Sequence, residues 1–199
     1  MVRQVDMGRL AGRYGSKLPR HGFSALCWRS NPQGRVHMPI NPAFILHQTE
    51  HWQLNHHLTS KLPGYLMLSA RAPIDALPDM PEAALAELGG LLANIQRVMQ
   101  TQLQPKWLYI SRYGHMPGFP LHFHCIPVYD WVEQAFWRDE RYRSLNAFGT
   151  HPLEPVTDGA ELTLFVWREF GESPTPPQIQ GPGIELVIEQ LRAAFKRDS

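Results

Sequence analysis

Two hydrophobic periods alternate along residues 38–199, and each switch between them marks a new element. Phe44 to His47 and Trp52 to His57 read as two short strands around Gln48-Thr49-Glu50, the second ending in Asn55-His56-His57. Leu62 to Ser69 reads as a third strand, opened by Pro63-Gly64. The period then lengthens. Leu85, Leu88, Leu92, Ile95 and Met99 recur at steps of three and four, which predicts an amphipathic helix over 80–103. Asp79 and Glu82 suggest a capping box at its start, with Pro81 in the first turn and Pro105 beyond its end. Gly89-Gly90 weakens this helix by roughly 1 kcal/mol per glycine relative to alanine, and close packing on a sheet is one reason to keep the pair.

Lys106 to Arg112 predicts another strand, followed by a Gly- and Pro-rich loop and a strand over Pro120 to Pro127. Trp131 to Asn146 is expected to be helical, Asp158-Gly159 a turn, and Leu162 to Trp167 a strand. Ser173 to Pro182 carries four prolines and reads as a linker. Ile184, Val187, Ile188, Leu191 and Phe195 then form the apolar stripe of a C-terminal helix, whose Lys196 and Arg197 suit the helix dipole. Strands on both sides of one long helix imply an α+β fold: an antiparallel sheet with that helix packed on it and the C-terminal helix added. The expected divisions are an extension over 1–37, a domain over 38–172, and the linker with its helix over 173–199.

Composition changes the picture mainly at the N-terminus. The chain of 199 residues is 43% hydrophobic, enough for a packed core, and its apolar runs fall well short of the roughly 18 residues a membrane span needs. Its formal net charge of +1 hides a split. Residues 1–37 hold seven Lys/Arg and one acid, a net of +6, and residues 38–199 hold twelve basic and seventeen acidic residues, a net of −5. The first segment lacks periodicity and is expected to lie outside the folded domain. Four readings of it stay open: a flexible basic tail, an Arg-rich targeting segment, an over-long reading frame with Met38 as the true start, and a nucleic-acid-binding arm. The last is the weakest, because aromatic interleaving is limited to Tyr14, Phe23 and Trp28. The near-neutral total argues against nucleic-acid or membrane partners for the whole chain. The two cysteines, Cys27 and Cys125, do not make a disulfide framework, which points to a reducing compartment such as the cytoplasm.

The chemistry concentrates in Pro120-Leu121-His122-Phe123-His124-Cys125-Ile126-Pro127. In a strand, His122 and His124 share one face and Leu121, Phe123 and Cys125 the other. An imidazole near its ordinary pKa can serve as nucleophile, acid, base or metal ligand at neutral pH. Gly114, Pro117, Gly118 and Pro120 upstream form a loop able to bring backbone N–H groups close to an anion.

His-Phe-His-Cys-Ile-Pro after a Gly-x-x-x-Gly loop resembles the signature strand of the histidine triad superfamily, whose members are nucleotidyl hydrolases and transferases. Anchored on Pro127, His124 matches the third histidine and His122 the second, while Pro120 replaces the first. Leu62-Pro63-Gly64-Tyr65 resembles the family's Pro-Gly-His strand opening, with Tyr65 in place of histidine. Asn55 stands near the family's nucleotide-binding asparagine. The resemblance spans roughly residues 43–129. It implies His122 as nucleophile, forming a nucleotidyl-histidine intermediate, and His124 as donor to a phosphate oxygen or leaving group. It also implies a nucleotide or dinucleoside polyphosphate substrate and a homodimer, with no cofactor. Asn55, Arg112, Gly114 and His115 are the candidate substrate-binding residues, and no resident metal is expected.

Two alternatives remain beside the enzyme. One is a nucleotide-binding protein of the same type without turnover, favoured by the missing first histidine, by Tyr65 in place of the strand-opening histidine, and by Phe119 where a polar residue such as Gln normally precedes the triad. The other is a metal-binding protein, since His47, His51, His56, His57, His115, His122 and His124 could converge, although no third ligand is fixed by spacing.

Overall fold

The computed structural model of the chain describes residues 40–113, 119–142 and 157–197. The extension expected over 1–37 therefore lies outside the described residues. Five strands form one sheet: β1 Ile45–Gln48, β2 Trp52–His56, β3 Leu66–Ala70, β4 Trp107–Ser111 and β5 His122–Val128. Their order is β1-β2-β3-β5-β4, and every neighbouring pair is antiparallel. With α1 Glu82–Leu103, α2 Asp130–Arg138, α3 Gly159–Phe165 and α4 Ile184–Arg197, the fold is α+β.

Alternation along the strands assigns the two faces. Trp52, Leu54, Leu66, Leu68, Ala70 and Cys125 are buried on one face, against Ala84, Ile95, Val98 and Met99 of α1 and Val187, Leu191, Ala194 and Phe195 of α4. Burial of such apolar area is the main term holding these layers together. Arg192 of α4 also donates to the carbonyls of Ile45 (3.0 Å) and Ala43 (2.7 Å), so the C-terminal helix is tied to the first strand. On the other face, Ile126 and Val128 of β5 lie beneath Val132 and Phe136 of α2 and Leu162 and Phe165 of α3. That second layer covers one end of the sheet only. His122 and His124, nearer the start of β5, remain half-buried beyond it.

Three local expectations are corrected. The stretch Leu162 to Trp167 is helical, not a strand. Asp158 is the N-cap of α3, its Oδ1 accepting from Ala160 N (2.8 Å) and Glu161 N (3.0 Å), and Leu162, Phe165, Val166 and Phe170 follow at helical steps. A π-helix over Val166–Glu172 continues it. The Asp79/Glu82 capping box does not form either. Asp79 ends a 3₁₀ turn, Leu77–Asp79, and Pro81 occupies the N-cap with no side-chain cap bond. Finally, Gly89 and Gly90 do not pack on the sheet: both are exposed, and an added Cβ would meet nothing within 4 Å. The predicted helix over Trp131 to Asn146 is observed as α2 and a 3₁₀ turn, Glu140–Tyr142; 143–146 lie outside the described residues.

Candidate functional site

The half-covered face carries the polar residues of four strands in register. Asn55, Met67, His124 and Ser111 are cross-strand partners in one row, and Gln53, Ser69 and His122 in the next. Side chains of directly paired residues stand on the same face. The start of β5 is anchored by Leu121, whose N–H donates to Ile74 O (2.6 Å) and whose carbonyl accepts from Ala70 N (2.7 Å). Leu121 and Cys125 point into the core, and burial pushes the Cys125 thiol up to about 12.

The ring of His122 turns back on its own strand. Its Nδ1 lies 2.8 Å from the carbonyl oxygen of Pro120. A carbonyl only accepts, so Nδ1 carries the proton and Nε2 is the nitrogen left free to act as a base or nucleophile. The imidazole of His124 meets that of His122 edge-to-face, with centroids 5.1 Å apart. Its Nδ1 is 2.8 Å from the hydroxyl of Tyr65.

Tyr65 is delivered by the Pro63-Gly64 turn. Gly64 has a φ of 79°, and a Cβ there would stand 2.6 Å from Leu103 Cδ1. Only glycine fits both the conformation and the space. Tyr129 donates to the Pro63 carbonyl (3.0 Å) and holds the turn from the other side. His57, just after β2, lies against Tyr65 with centroids 4.5 Å apart, and its ring centroid is 6.1 Å from that of His124. Tyr113 closes the group 5.5 Å from His124. Burial, with the neighbouring imidazoles adding to it, holds both His57 and His124 down to about 4, so both are neutral at pH 7. Burial likewise raises the Tyr65 phenol, which stays protonated.

The sequence candidates are distributed as follows. His122 and His124 lie together. Asn55 is on the same face, separated from His124 by Met67 of β3, and is 1% exposed. Its Nδ2 donates to His56 O (2.9 Å), and its buried Oδ1 has no hydrogen-bond partner among the described residues. Arg112 is exposed and donates to the carbonyl of Asp75 (2.8 Å), which turns it toward the loop before α1. Gly114 and His115 lie outside the described residues. The histidines do not all converge: His47 stacks on Phe195 at 5.7 Å, and the two ring nitrogens of His56 face the carbonyls of His57 (2.9 Å) and Leu62 (3.2 Å). Among the described residues, no three His, Cys, Asp or Glu side chains come together as a metal-ligand set.

Three members of the cluster, Tyr65, His57 and Tyr113, were missed by sequence reasoning. Tyr65 reads as a ring that packs, and His57 only as one of many histidines. The available signal was phase: Asn55 and His57, two apart, fall on one face of a strand, and Tyr65 follows a turn that glycine fixes.

Solved structures of histidine triad proteins are similar to this chain. One is a Zn-bound histidine triad family protein from Mycobacterium smegmatis, with 15% identity, coverage of 79% of this chain and 86% of that one, and a TM-score of 0.45. Another is a hypothetical histidine triad nucleotide-binding protein from Sulfolobus tokodaii, with 13% identity, coverage of 78% and 87%, and a TM-score of 0.43. Among curated proteins, the chain is 23% identical over 100 residues to CTP synthase of Schizosaccharomyces pombe, a match covering 50% of this chain. The match takes in only 16% of that protein's length. No family model matches the chain.

Proposed function

We propose that the chain is a histidine-triad-type nucleotidyl hydrolase or transferase, acting through His122 on a phosphoanhydride, phosphoramidate or ester of a nucleotide. The observation that carries this reading is the 2.8 Å contact between His122 Nδ1 and the Pro120 carbonyl, which leaves Nε2 with its lone pair outward when the ring is neutral. Nε2 attacks phosphorus, a P–N bond forms, and the bond from phosphorus to the leaving group breaks. His124, one edge-to-face contact away, donates a hydrogen bond to a phosphate oxygen or to the departing atom, which takes its proton from solvent. Water, or an acceptor hydroxyl in a transferase, then attacks the phosphorus of the nucleotidyl-histidine and loses its proton to solvent, and the P–N bond breaks to restore neutral His122. Two modest displacements replace one hard one. The substrate class is a nucleotide or dinucleoside polyphosphate, with Asn55 a candidate to meet its sugar. The working form proposed from the resemblance is a homodimer in the cytoplasm. No helix among the described residues is long and apolar enough to cross a membrane.

Intact-mass spectrometry after incubation with mixed nucleotides tests the reading. A nucleotidyl adduct on the native chain that is absent from His122→Ala is the expected result. Wild-type turnover in His122→Ala overturns the assignment.

One observation favours a second reading, a nucleotide binder without turnover. The guanidinium expected to neutralise phosphate charge, Arg112, is committed to the Asp75 carbonyl instead. Saturable binding of a non-hydrolysable nucleotide, with neither adduct nor turnover, selects that reading.

A further inference from the structure

We infer that Tyr65 is a positioning residue that fixes His124 as the Nε2–H tautomer and so makes it a neutral hydrogen-bond donor toward the open face of the sheet. The inference deepens the reading above and rests on it for its catalytic meaning; the tautomer itself does not depend on it.

The argument starts from what occupies each Nδ1. Three imidazoles stand on this face, and each has a partner of a different kind. His122 faces a carbonyl, Pro120 O, at 2.8 Å and must donate. His57 faces main-chain N–H groups, Ser60 N at 3.2 Å and Thr59 N at 3.4 Å, and must accept. His124 faces a phenol, which can do either. Burial decides. Tyr65 is 5% exposed, and among the described residues its hydroxyl has His124 Nδ1 as its hydrogen-bond partner. If His124 carried its proton on Nδ1, the phenol oxygen would accept and the phenol O–H would be buried with nothing to bond. An unpaired buried donor is disfavoured relative to a paired one. With Tyr65 donating, both groups are satisfied, and the proton of neutral His124 resides on Nε2.

The consequence is a division of labour between neighbouring rings. His122 presents a lone pair, and His124 and His57 present N–H groups. One acceptor flanked by donors is the arrangement that a nucleophile beside an anionic substrate requires, since a second lone pair would repel phosphate oxygens. The sheet alone does not produce it. β5 sets His122 through its own main chain, whereas His124 needs a hydroxyl from the turn before β3. A phenylalanine at 65 would pack equally well but leave the tautomer of His124 unspecified.

Long-range proton–nitrogen correlation spectra of the full ¹⁵N-labelled chain at pH 7.5, with the His124 pattern assigned by its loss in His124→Gln, test this directly. The expected pattern is an unprotonated Nδ1 and a protonated Nε2. In Tyr65→Phe the His124 nitrogens should shift toward the averaged pattern of exchanging tautomers. Tyr142→Phe, which deletes a buried hydroxyl bonded to Glu169 Oε1 instead, should leave the pattern as it is. A protonated Nδ1 in the native chain, or an unchanged pattern in Tyr65→Phe, overturns the inference. These readouts need no substrate, so they separate failure of the tautomer assignment from failure of the enzymatic reading. In an active preparation, Tyr65→Phe should lower kcat about ten-fold or more with KM little changed, because the loss falls on hydrogen-bond donation to the transition state.

Discussion

The Pro120 carbonyl and the His122 ring are joined across two residues of one chain, oxygen to Nδ1 at 2.8 Å. The contact uses main chain on one side and side chain on the other, so the identity of residue 120 matters little to it. Replacing the first histidine of the motif by proline removes an imidazole and keeps the acceptor. Pro120→Ala should therefore retain nucleotidyl transfer within a few-fold of the native chain, while His122→Asn should abolish it and leave nucleotide binding largely intact. Parallel turnover and binding assays check both. Loss of turnover in Pro120→Ala without loss of fold would show that the proline ring, and not its carbonyl, is what the site uses.

Acid should loosen the domain before its carboxylates titrate. His57 and His124 are held down to about 4 in the fold against 6.5 for the free side chain, and buried His56 is shifted the same way. Between those values the unfolded chain binds more protons than the folded one, so stability rises with pH. It is complete above roughly pH 6.5 and is lost as pH falls toward 4, by an amount on the order of a few kcal/mol. The melting temperature should drop between pH 7 and pH 5, a range in which ordinary carboxylates remain ionised. His57→Asn keeps an acceptor for the Ser60 N–H but cannot titrate, and should flatten the profile. A melting temperature constant from pH 7 to pH 5 would contradict the burial of these rings.

Much of this architecture was legible in the chain, and the exceptions share a cause. Period-two alternation located the strands, and the alternation through Leu121 to Cys125 set the two faces of β5, because one face must be apolar wherever a helix covers it. The Leu162 to Trp167 run was misread because six consecutive apolar or β-branched residues satisfy either period. The Asp158-Gly159 pair that read as a turn is equally a helix N-cap, and only the packing of Leu162 and Phe165 against α2 and β5 decides between them. At the site, His122 and His124 announced themselves by spacing. Tyr65 did not, because its role depends on cross-strand register: Met67 pairs with His124, which brings the residue two before it within reach. The direction Arg112 takes, toward the Asp75 carbonyl, was not legible either. Arg112 follows Ser111, the last residue of β4 and the partner of His124, so no strand register fixes where its long side chain goes.

The glycines of α1 and of the Pro-Gly turn should respond to alanine in opposite directions. Gly89 and Gly90 are exposed in the middle of a regular helix, and a methyl group on either meets open space. Alanine there should stabilise by about 1 kcal/mol per site, chiefly by restricting the unfolded chain. A double variant should melt several degrees higher with unchanged site chemistry. Gly64→Ala combines a φ of 79° with a Cβ 2.6 Å from Leu103 Cδ1 and 3.1 Å from the Tyr129 hydroxyl. It should destabilise by more than 1 kcal/mol and displace Tyr65. Calorimetry on these variants checks the signs. A stabilising Gly64→Ala would mean that the turn is not held as described.

Cys125 reports on the register of the histidine strand. It is fully buried, paired with Ile110 and Leu66 on the side of the sheet that faces α1, and its thiol is pushed up to about 12 by burial. The thiolate, not the thiol, attacks labelling reagents, so burial slows the reaction twice: by excluding the reagent and by suppressing the anion. In the native state, modification at pH 8 should be slower by orders of magnitude than in denaturant, and should follow the opening of the domain. Because Cys27 lies outside the described residues, the measurement is made on Cys27→Ser, in which Cys125 is the sole thiol. The consequence reaches the site, since a slip of one residue along β5 would exchange the two faces. Cys125 would then lie beside Tyr65, and His122 and His124 would point into the Leu68 and Leu66 layer, where two imidazoles would be buried without partners. Rapid labelling of folded Cys27→Ser would therefore reject the strand register, and with it the placement of both histidines.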